Sequence, residues 1–397
     1  MEADELAAWL RLSLTPGVGN GAARKLLSAF GLPANIFLQP LSALRQIVGE
    51  AQAQALITPP ALLAVQLEST QHWLESGPPE GNRRILPLGD AQYPPDLLRI
   101  EDPPLLLYVM GRGCLHSPGA SADMPAAQRL PALQRAIAIV GSRNPTPQGE
   151  SNARQFAKAL ADAGLSVVSG LALGIDGAAH GGALEASGPG RAPLATIAVV
   201  GTGLDRVYPK QHLALARKIC EHGLMLSEYP IGTPPLAANF PRRNRLIAGL
   251  SEGVLVVEAA LRSGSLITAT QSIEQGKDVF SIPGSIHSPL SRGCHALIKQ
   301  GAKLVESAQD VMEELRIAAP SPSIAPQRQM TSPQDDGPSS GSLALLRHMG
   351  FDPVGLDALI ARSGLEAAQW QAHLLELELA GQVARLPGGL YQRMGRA

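Results

Sequence analysis

The sequence predicts an α/β protein: a parallel sheet covered on both faces, set between a small all-helical module and a C-terminal winged helix. Three observations lead there. Short runs that are apolar throughout, from Ile137 to Val305, alternate with amphipathic stretches of helical period, as strands buried on both faces and joined by crossover helices do. Ahead of them, Glu5 to Glu75 carries apolar residues at helical spacing with short Gly and Pro interruptions. Behind them, a stretch rich in Pro, Ser, Gln and Gly precedes three helical segments and a hairpin.

A chain of 397 residues suffices for two or three domains with at least one large core. With 45% hydrophobic and 17% charged residues, its composition is that of an ordinary soluble globular protein. The 33 basic residues are balanced by 34 acidic ones, which excludes a chain coated in basic surface and confines any nucleic-acid site to a local groove. Met1-Glu2-Ala3-Asp4-Glu5 is acidic where a secretory signal is basic, and no apolar run is long enough to span a bilayer. A cytoplasmic protein without a membrane partner is expected. Cys114, Cys220 and Cys294 are odd in number and far apart, which suits reduced thiols. Cys294-His295 lacks a second ligand pair at zinc-like spacing, so a buried thiol and no metal are expected.

Within the helical module, Leu14-Thr15-Pro16-Gly17-Val18-Gly19 through Leu27 has the form of a helix-hairpin-helix turn, whose backbone N–H groups can approach a phosphate with help from Arg24 and Lys25. Residues 1 to 75 nonetheless hold four basic against six acidic side chains, which favours a packing module that retains the hairpin. Gly77 to Pro104 reads as a Pro-rich connector, Leu105 to Val109 as an edge strand, and Ser117 to Pro131 as an exposed loop. Strands are expected at Ile137–Val140, Ser166–Val168, Thr196–Val200, Leu224–Leu226, Val254–Val257, Val279–Ile282 and Lys303–Val305. Pro320 to Gly341 lacks an apolar period and reads as a disordered linker. Helices at Leu343–Met349, Leu356–Arg362 and Glu366–Leu379, then a hairpin from Val383 to Arg393, follow in the order of a winged helix. Its third helix offers Glu366, Glu376 and Glu378 with no lysine or arginine, which favours protein contact over duplex binding despite Arg385 and Arg393 in the wing.

In an open parallel sheet, ligands bind outside the carboxyl ends of the strands. Here those ends carry Gly141-Ser142-Arg143-Asn144, Ser169-Gly170-Leu171-Ala172, Gly201-Thr202-Gly203, Ser263-Gly264-Ser265 and Pro283-Gly284-Ser285. Repeated glycines and hydroxyls make a row of backbone donors and helix N-termini suited to phosphates. Between Tyr229 and Ser251 stand three arginines and no carboxylate. There Phe240 can stack a base while Arg242, Arg243 and Arg245 fork onto phosphates; alternatively Phe240 is core and the arginines cap a helix or lie on a solvated face. Asp176 and His180 stand four apart, as an acid/base pair can, although a cap and a locally packed histidine is the favoured reading. Glu228 and Glu258 each end an apolar strand and could orient arginines. No dinucleotide fingerprint, P-loop, metal cluster or nucleophile motif is present, so no cofactor and no catalytic residue is expected.

Val140-Gly141-Ser142-Arg143, Ser169 to His180, Tyr208-Pro209, Ser227-Glu228-Tyr229-Pro230, Phe240 to Leu250, Glu258-Ala259 with Ser263 to Ala269, and Pro283-Gly284 together resemble the DNA-processing protein A family (DprA, also called Smf). The match runs in order from about Leu86 to about Leu315. It implies four segments: 1–75, SAM- or helix-hairpin-helix-like; 76–319, an extended Rossmann-like domain; 320–341, the linker; and 342–397, the winged helix. It further implies a homodimer that binds single-stranded DNA, protects incoming strands during natural transformation, helps load the RecA recombinase and has no established catalytic activity. Carried over by motif, Arg143 and the amides around Gly141 and Ser142 hold phosphates, Ser169 and Gly170 belong to the same DNA-binding set, and Lys210 extends the basic path. Arg242, Arg243 and Arg245 line the groove, Phe240 stacks a base, and Asn244 hydrogen-bonds sugar, base or backbone. A competing class is the Rossmann-like phosphoribohydrolases with a Pro-Gly-Gly-x-Gly-Thr-x-x-Glu loop; the comparable Ser263–Thr268 loop here has no carboxylate before Glu274. A winged-helix regulator of transcription is a third, opposed by the acidic third helix.

Overall fold

The computed structural model describes residues 2–76, 83–111, 135–188, 190, 194–317, 345–346, 349–351 and 353–395. The expected loop at 117–131, the linker at 320–341 and Cys114 lie outside the described residues, as does most of the expected helix at 343–349.

Nine strands form one sheet: β1 (Arg83–Pro87), β2 (Leu106–Met110), β3 (Ala136–Val140), β4 (Ser166–Ser169), β5 (Thr196–Val199), β6 (Leu224–Ser227), β7 (Gly253–Val256), β8 (Asp278–Ser281) and β9 (Lys303–Leu304). Their spatial order is β1-β2-β6-β5-β4-β3-β7-β8-β9. The run from β6 to β9 is parallel throughout, and its strands coincide with the seven apolar runs of the sequence. Because β3 to β7 are buried along their whole length, helices must cover both faces. On one face α7 (Pro147–Asp162) and α8 (Ile175–Leu184) set Phe156, Leu160, Ile175 and Ala179 against Ile137, Ile139 and Leu255. On the other, α10 (Asn239–Gly249) sets Leu246 and Ile247, with Leu250 just past its end, against Val140, Val168 and Val254.

The expected edge strand is not an edge. β2 pairs antiparallel with both β6 and β1, and β1 lies within the stretch read as a connector. Its five residues, Arg-Arg-Ile-Leu-Pro, are too few and too mixed to show a period of two.

The N-terminal helices, α1 (Ala3–Leu14) through α6 (Leu63–Glu75), enclose a core of their own that includes Leu12, Leu26, Ile36, Leu44 and Leu56. Residues 15–19 connect α1 to α2 (Asn20–Phe30). Arg24 is turned inward, pairing with Asp102 at 3.1 Å and donating to the Glu101 carbonyl at 3.1 Å. It joins the module to the central domain and is unavailable to a phosphate.

At the C-terminus α14 (Leu356–Ser363), α15 (Ala367–Leu379), β11 (Val383–Leu386) and β12 (Leu390–Arg393) follow in the expected order, and β10 (Val354–Gly355), which the sequence reading did not include, pairs antiparallel with β12. Trp370, Leu374 and Leu377 of α15 fill the core, while Leu375 and Leu379 on the same helix are exposed. Among the described residues no helix is long and apolar enough to cross a membrane.

Candidate nucleic-acid interface

The chain leaves β3 for β4, β5 and β6 on one side, then returns to place β7 on the other. At such a reversal the loops leaving two adjacent strands diverge and open a crevice at their carboxyl ends. A cleft of about 660 Å³ lies there, lined by Gly141, Ser142 and Arg143 after β3, and by Arg262, Ser263 and Gly264 after β7. Its other wall comes from beyond β5 and from the first turns of α10, and carries Tyr208, Phe240 and Pro241.

One face of α10 meets the cleft. Phe240, Arg243, Asn244 and Ile247 line it, an i, i+3, i+4, i+7 set that a 3.6-residue turn brings to one side. Arg242, Arg243 and Arg245 cannot share that side, because successive helical residues are about 100° apart. Arg242 is exposed. Arg245 points away, pairing with the nearly buried Glu228 and approaching Asp102 at 3.5 Å. It is held by Glu228 and by Asp102, the carboxylate that also pairs with Arg24 of the helical module, and it does not line the groove.

Arg243 reaches the cleft floor from beneath and is only 4% exposed. Its Nη1 donates to the Gly170 carbonyl at 2.7 Å and also to that of Val199. Burial lowers its pKa to about 10 against the opposing pull of Asp176, so it stays charged at neutral pH. Its guanidinium therefore contributes positive potential from below, with its hydrogen bonds spent on the ends of β4 and β5. Asp176 is buried too, and burial pushes its carboxyl upward against Arg243 and the backbone donors. It accepts from the Gly170 and Ala172 amides at 3.1 and 3.3 Å, fixing the loop upstream of α8; the residue preceding that helix is Gly174, so Asp176 braces the turn without occupying the cap.

These bonds also revise the turns themselves. Ser169 is buried and donates to the Ile139 carbonyl at 2.7 Å, and both backbone groups of Gly170 are taken by Asp176 and Arg243. Neither is presented to a ligand. At the β3 turn, the Ser142 amide donates to the Glu258 carbonyl at 2.7 Å and the Asn144 amide to Ser142 Oγ at 3.1 Å. What the turn offers is chiefly the Arg143 side chain, which is exposed.

Asn244 lines the cleft while bridging Arg243 Nε at 3.3 Å and the Gly264 carbonyl at 3.3 Å. Lys210 is exposed just past Tyr208, outside the cleft lining. Glu228 does hold an arginine, but Glu258 does not: it accepts from the Thr146 amide at 2.9 Å and its hydroxyl at 2.5 Å, fixing the start of α7 beside Arg143. His180 is fully buried against Thr196 Oγ1 at 2.7 Å, away from any ligand. Cys294 is likewise buried, and no group of three metal-ligating side chains occurs among the described residues.

Two cleft residues carry no assigned role in the sequence reading. Arg262 is exposed and immediately precedes the Ser263–Thr268 turn; among the described residues neither it nor Arg143 makes an ion pair. Tyr208 is 49% exposed, its ring centroid 5.6 Å from that of Phe240. Proximity to named motifs was the available signal for both.

Comparison with known proteins agrees with this architecture. Residues 125–316 match the family model described as DNA recombination-mediator protein A, and residues 329–389 match the DprA winged helix domain. Protein Smf of Escherichia coli (strain K12) is 42% identical over 332 residues, 83% of this chain and 82% of that protein. The X-ray structure of DNA processing protein A from Streptococcus pneumoniae superposes with a TM-score of 0.61 at 37% identity, covering 79% of this chain and 98% of that one. A structure of DNA processing protein A from Helicobacter pylori, whose description concerns its single-stranded DNA binding mode, gives a TM-score of 0.49 at 29% identity, covering 59% and 95%. The chain belongs to the DNA recombination-mediator protein A family, DprA/Smf.

Proposed function

We propose that this protein binds single-stranded DNA in the cleft between the β3 and β7 turns and acts as a cytoplasmic recombination mediator. In this role it protects incoming strands during natural transformation and helps load RecA onto them as a homodimer. The observation that carries the binding mode is the pairing of two chemistries across one cleft. Exposed Arg143 and Arg262 stand on the side of β3 and β7, and the aromatic rings of Tyr208 and Phe240 stand beyond β5. Arginines take phosphates, and rings take the faces of bases, which only an unpaired strand exposes.

A binding role also follows from what α11 (Gly264–Glu274) lacks at its start. Glu274 is its last residue, about 9 Å along the helix axis beyond Thr268, the last residue of the helix to line the cleft, so it does not take the place of the glutamate of a phosphoribohydrolase loop. RecA loading, dimerisation and a role in transformation rest on family membership.

The test is salt-dependent binding of the full chain and an Arg143→Ala/Arg262→Ala variant to labelled single-stranded and duplex oligonucleotides. The wild type should prefer the single strand, and the variant should bind more weakly with a log–log salt slope shallower by about 1.4 for two lost phosphate contacts. Equal binding by both proteins, or a preference for duplex, refutes the reading.

A further inference from the structure

The sequence gives the stacking role to Phe240, but the two rings of the cleft are unequally placed. Phe240 is half-buried at the start of α10 and faces the end of β5 closely. A Cβ added to Gly201 would come within 3.1 Å of Phe240 Cδ1, so the absence of a side chain at Gly201 is what admits the ring. Tyr208 lies over Phe240 at 5.6 Å between centroids and an interplanar angle of 40°, with about half its surface open. Among the described residues its hydroxyl takes no hydrogen bond. A buried tyrosine hydroxyl needs a polar partner, and this ring, held from behind by another ring, keeps its outer face and polar tip in solvent.

We propose that Tyr208 is the base-stacking platform of the cleft, an unpaired nucleobase lying on its exposed face while Phe240, itself seated against Gly201, supports the ring from behind. This rests on the reading that the cleft holds single-stranded DNA, and it assigns the first base-binding surface to a residue other than the phenylalanine. Tyr208, from the chain beyond β5, and Arg143, from the turn after β3, line the same cleft. A bound strand can thus place a phosphate at Arg143 and a base at Tyr208. A ring face recognises any base, so the platform selects unpaired bases without selecting their sequence.

The experiment compares an oligothymidylate with an abasic strand of equal length, which keeps the phosphates and removes the bases. Wild-type protein should bind the base-bearing strand more tightly. Tyr208→Ala should lose roughly tenfold of that preference, with the salt slope unchanged because no phosphate contact is lost. Tyr208→Trp should restore the preference, and matching thermal melts show that Tyr208→Ala still folds. Photocrosslinking of a 5-iodouridine strand should label Tyr208. If Tyr208→Ala binds single strands with the full base preference, or the crosslink falls on Phe240 alone, the platform is wrong while the cleft assignment stands. If the wild type does not bind single strands at all, both fall together.

Discussion

Gly170 leaves open the space that the Arg243 guanidinium occupies: a Cβ there would lie 2.6 Å from Nη2, and Nη1 donates to the Gly170 carbonyl at 2.7 Å. The glycine that reads as a phosphate-binding turn is shaped instead to receive an arginine of the same chain. Two motifs separated by 73 residues thereby form one buried unit with Asp176.

Removing that arginine should cost stability more than binding. Arg243→Ala leaves the Gly170 and Val199 carbonyls without their donor and the buried Asp176 without its counter-charge. Breaking such a buried arrangement costs about 3–5 kcal/mol. Urea unfolding should show that loss, whereas Arg143→Ala, an exposed residue, should stay within about 0.5 kcal/mol of wild type and weaken single-strand binding.

The Arg245–Glu228 pair should behave as a structural couple. Side-chain exposures of 13% and 8% put both groups largely out of water, and burial pushes the Glu228 carboxyl upward despite the arginine. Arg245→Met should therefore destabilise the fold by about 3 kcal/mol, while Arg245→Met/Glu228→Gln should recover most of it because no unpaired charge remains. A double-mutant cycle in urea checks this. Loss of oligonucleotide affinity in the folded double variant would place Arg245 in the groove after all.

Much of the site was legible in the sequence, and the misreadings share one cause. The alternation of apolar runs and helices gave the parallel sheet, and the strand ends gave the place of the candidate cleft, because crevices in such sheets follow from topology. Charge gave the α10 cluster but not its facing. Arg242, Arg243 and Arg245 count alike in a composition, and only the 100° step of the helix sends them to solvent, to the cleft floor and to Glu228. The amides of the Ser142 and Gly170 turns were misread because their partners, Glu258 and Asp176, come from other elements. β1 was missed because antiparallel pairing to β2 sustains a strand whose own sequence carries no period.

His180 should make the fold acid-sensitive. Thr196 Oγ1 donates its only proton to the Val167 carbonyl at 2.6 Å, so His180 Nδ1, at 2.7 Å from that oxygen, must carry the proton it shares. Nε2 is then the unprotonated atom, buried without a hydrogen-bond partner among the described residues. Burial, with help from His212 and Arg243, lowers the pKa to about 3. The unfolded chain takes up a proton near pH 6.5 where the folded chain does not, so this contribution is full above about pH 6.5 and declines as pH falls toward about 3. The slope is about 1.4 kcal/mol per pH unit, or about 2 kcal/mol between pH 6.5 and 5. Urea midpoints for wild type and His180→Gln at about pH 7.5 and about pH 5 should show the decline in the wild type and its reduction in the variant.

Gly149 should be intolerant of any side chain, and its replacement should reach the cleft. Thr146 caps α7 by accepting from the Gly149 amide at 3.0 Å, and its own hydroxyl donates to Glu258. A Cβ at Gly149 would lie 2.3 Å from Glu258 Cδ. Gly149→Ala therefore gains helix propensity of about 1 kcal/mol but must displace a carboxylate that holds both the helix start and, through its backbone carbonyl, the Ser142 amide. Overpacking of this kind costs about 1–3 kcal/mol, so the net change should be a loss of up to about 2 kcal/mol. The displaced turn carries Arg143, and single-strand affinity should fall with it. Thr146→Ala, which removes the cap hydroxyl at a cost of about 1 kcal/mol without forcing Glu258 aside, should retain more affinity than Gly149→Ala. Thermal melts and oligonucleotide titrations of the two variants decide the point: if Gly149→Ala binds as tightly as wild type, Glu258 does not control the position of Arg143.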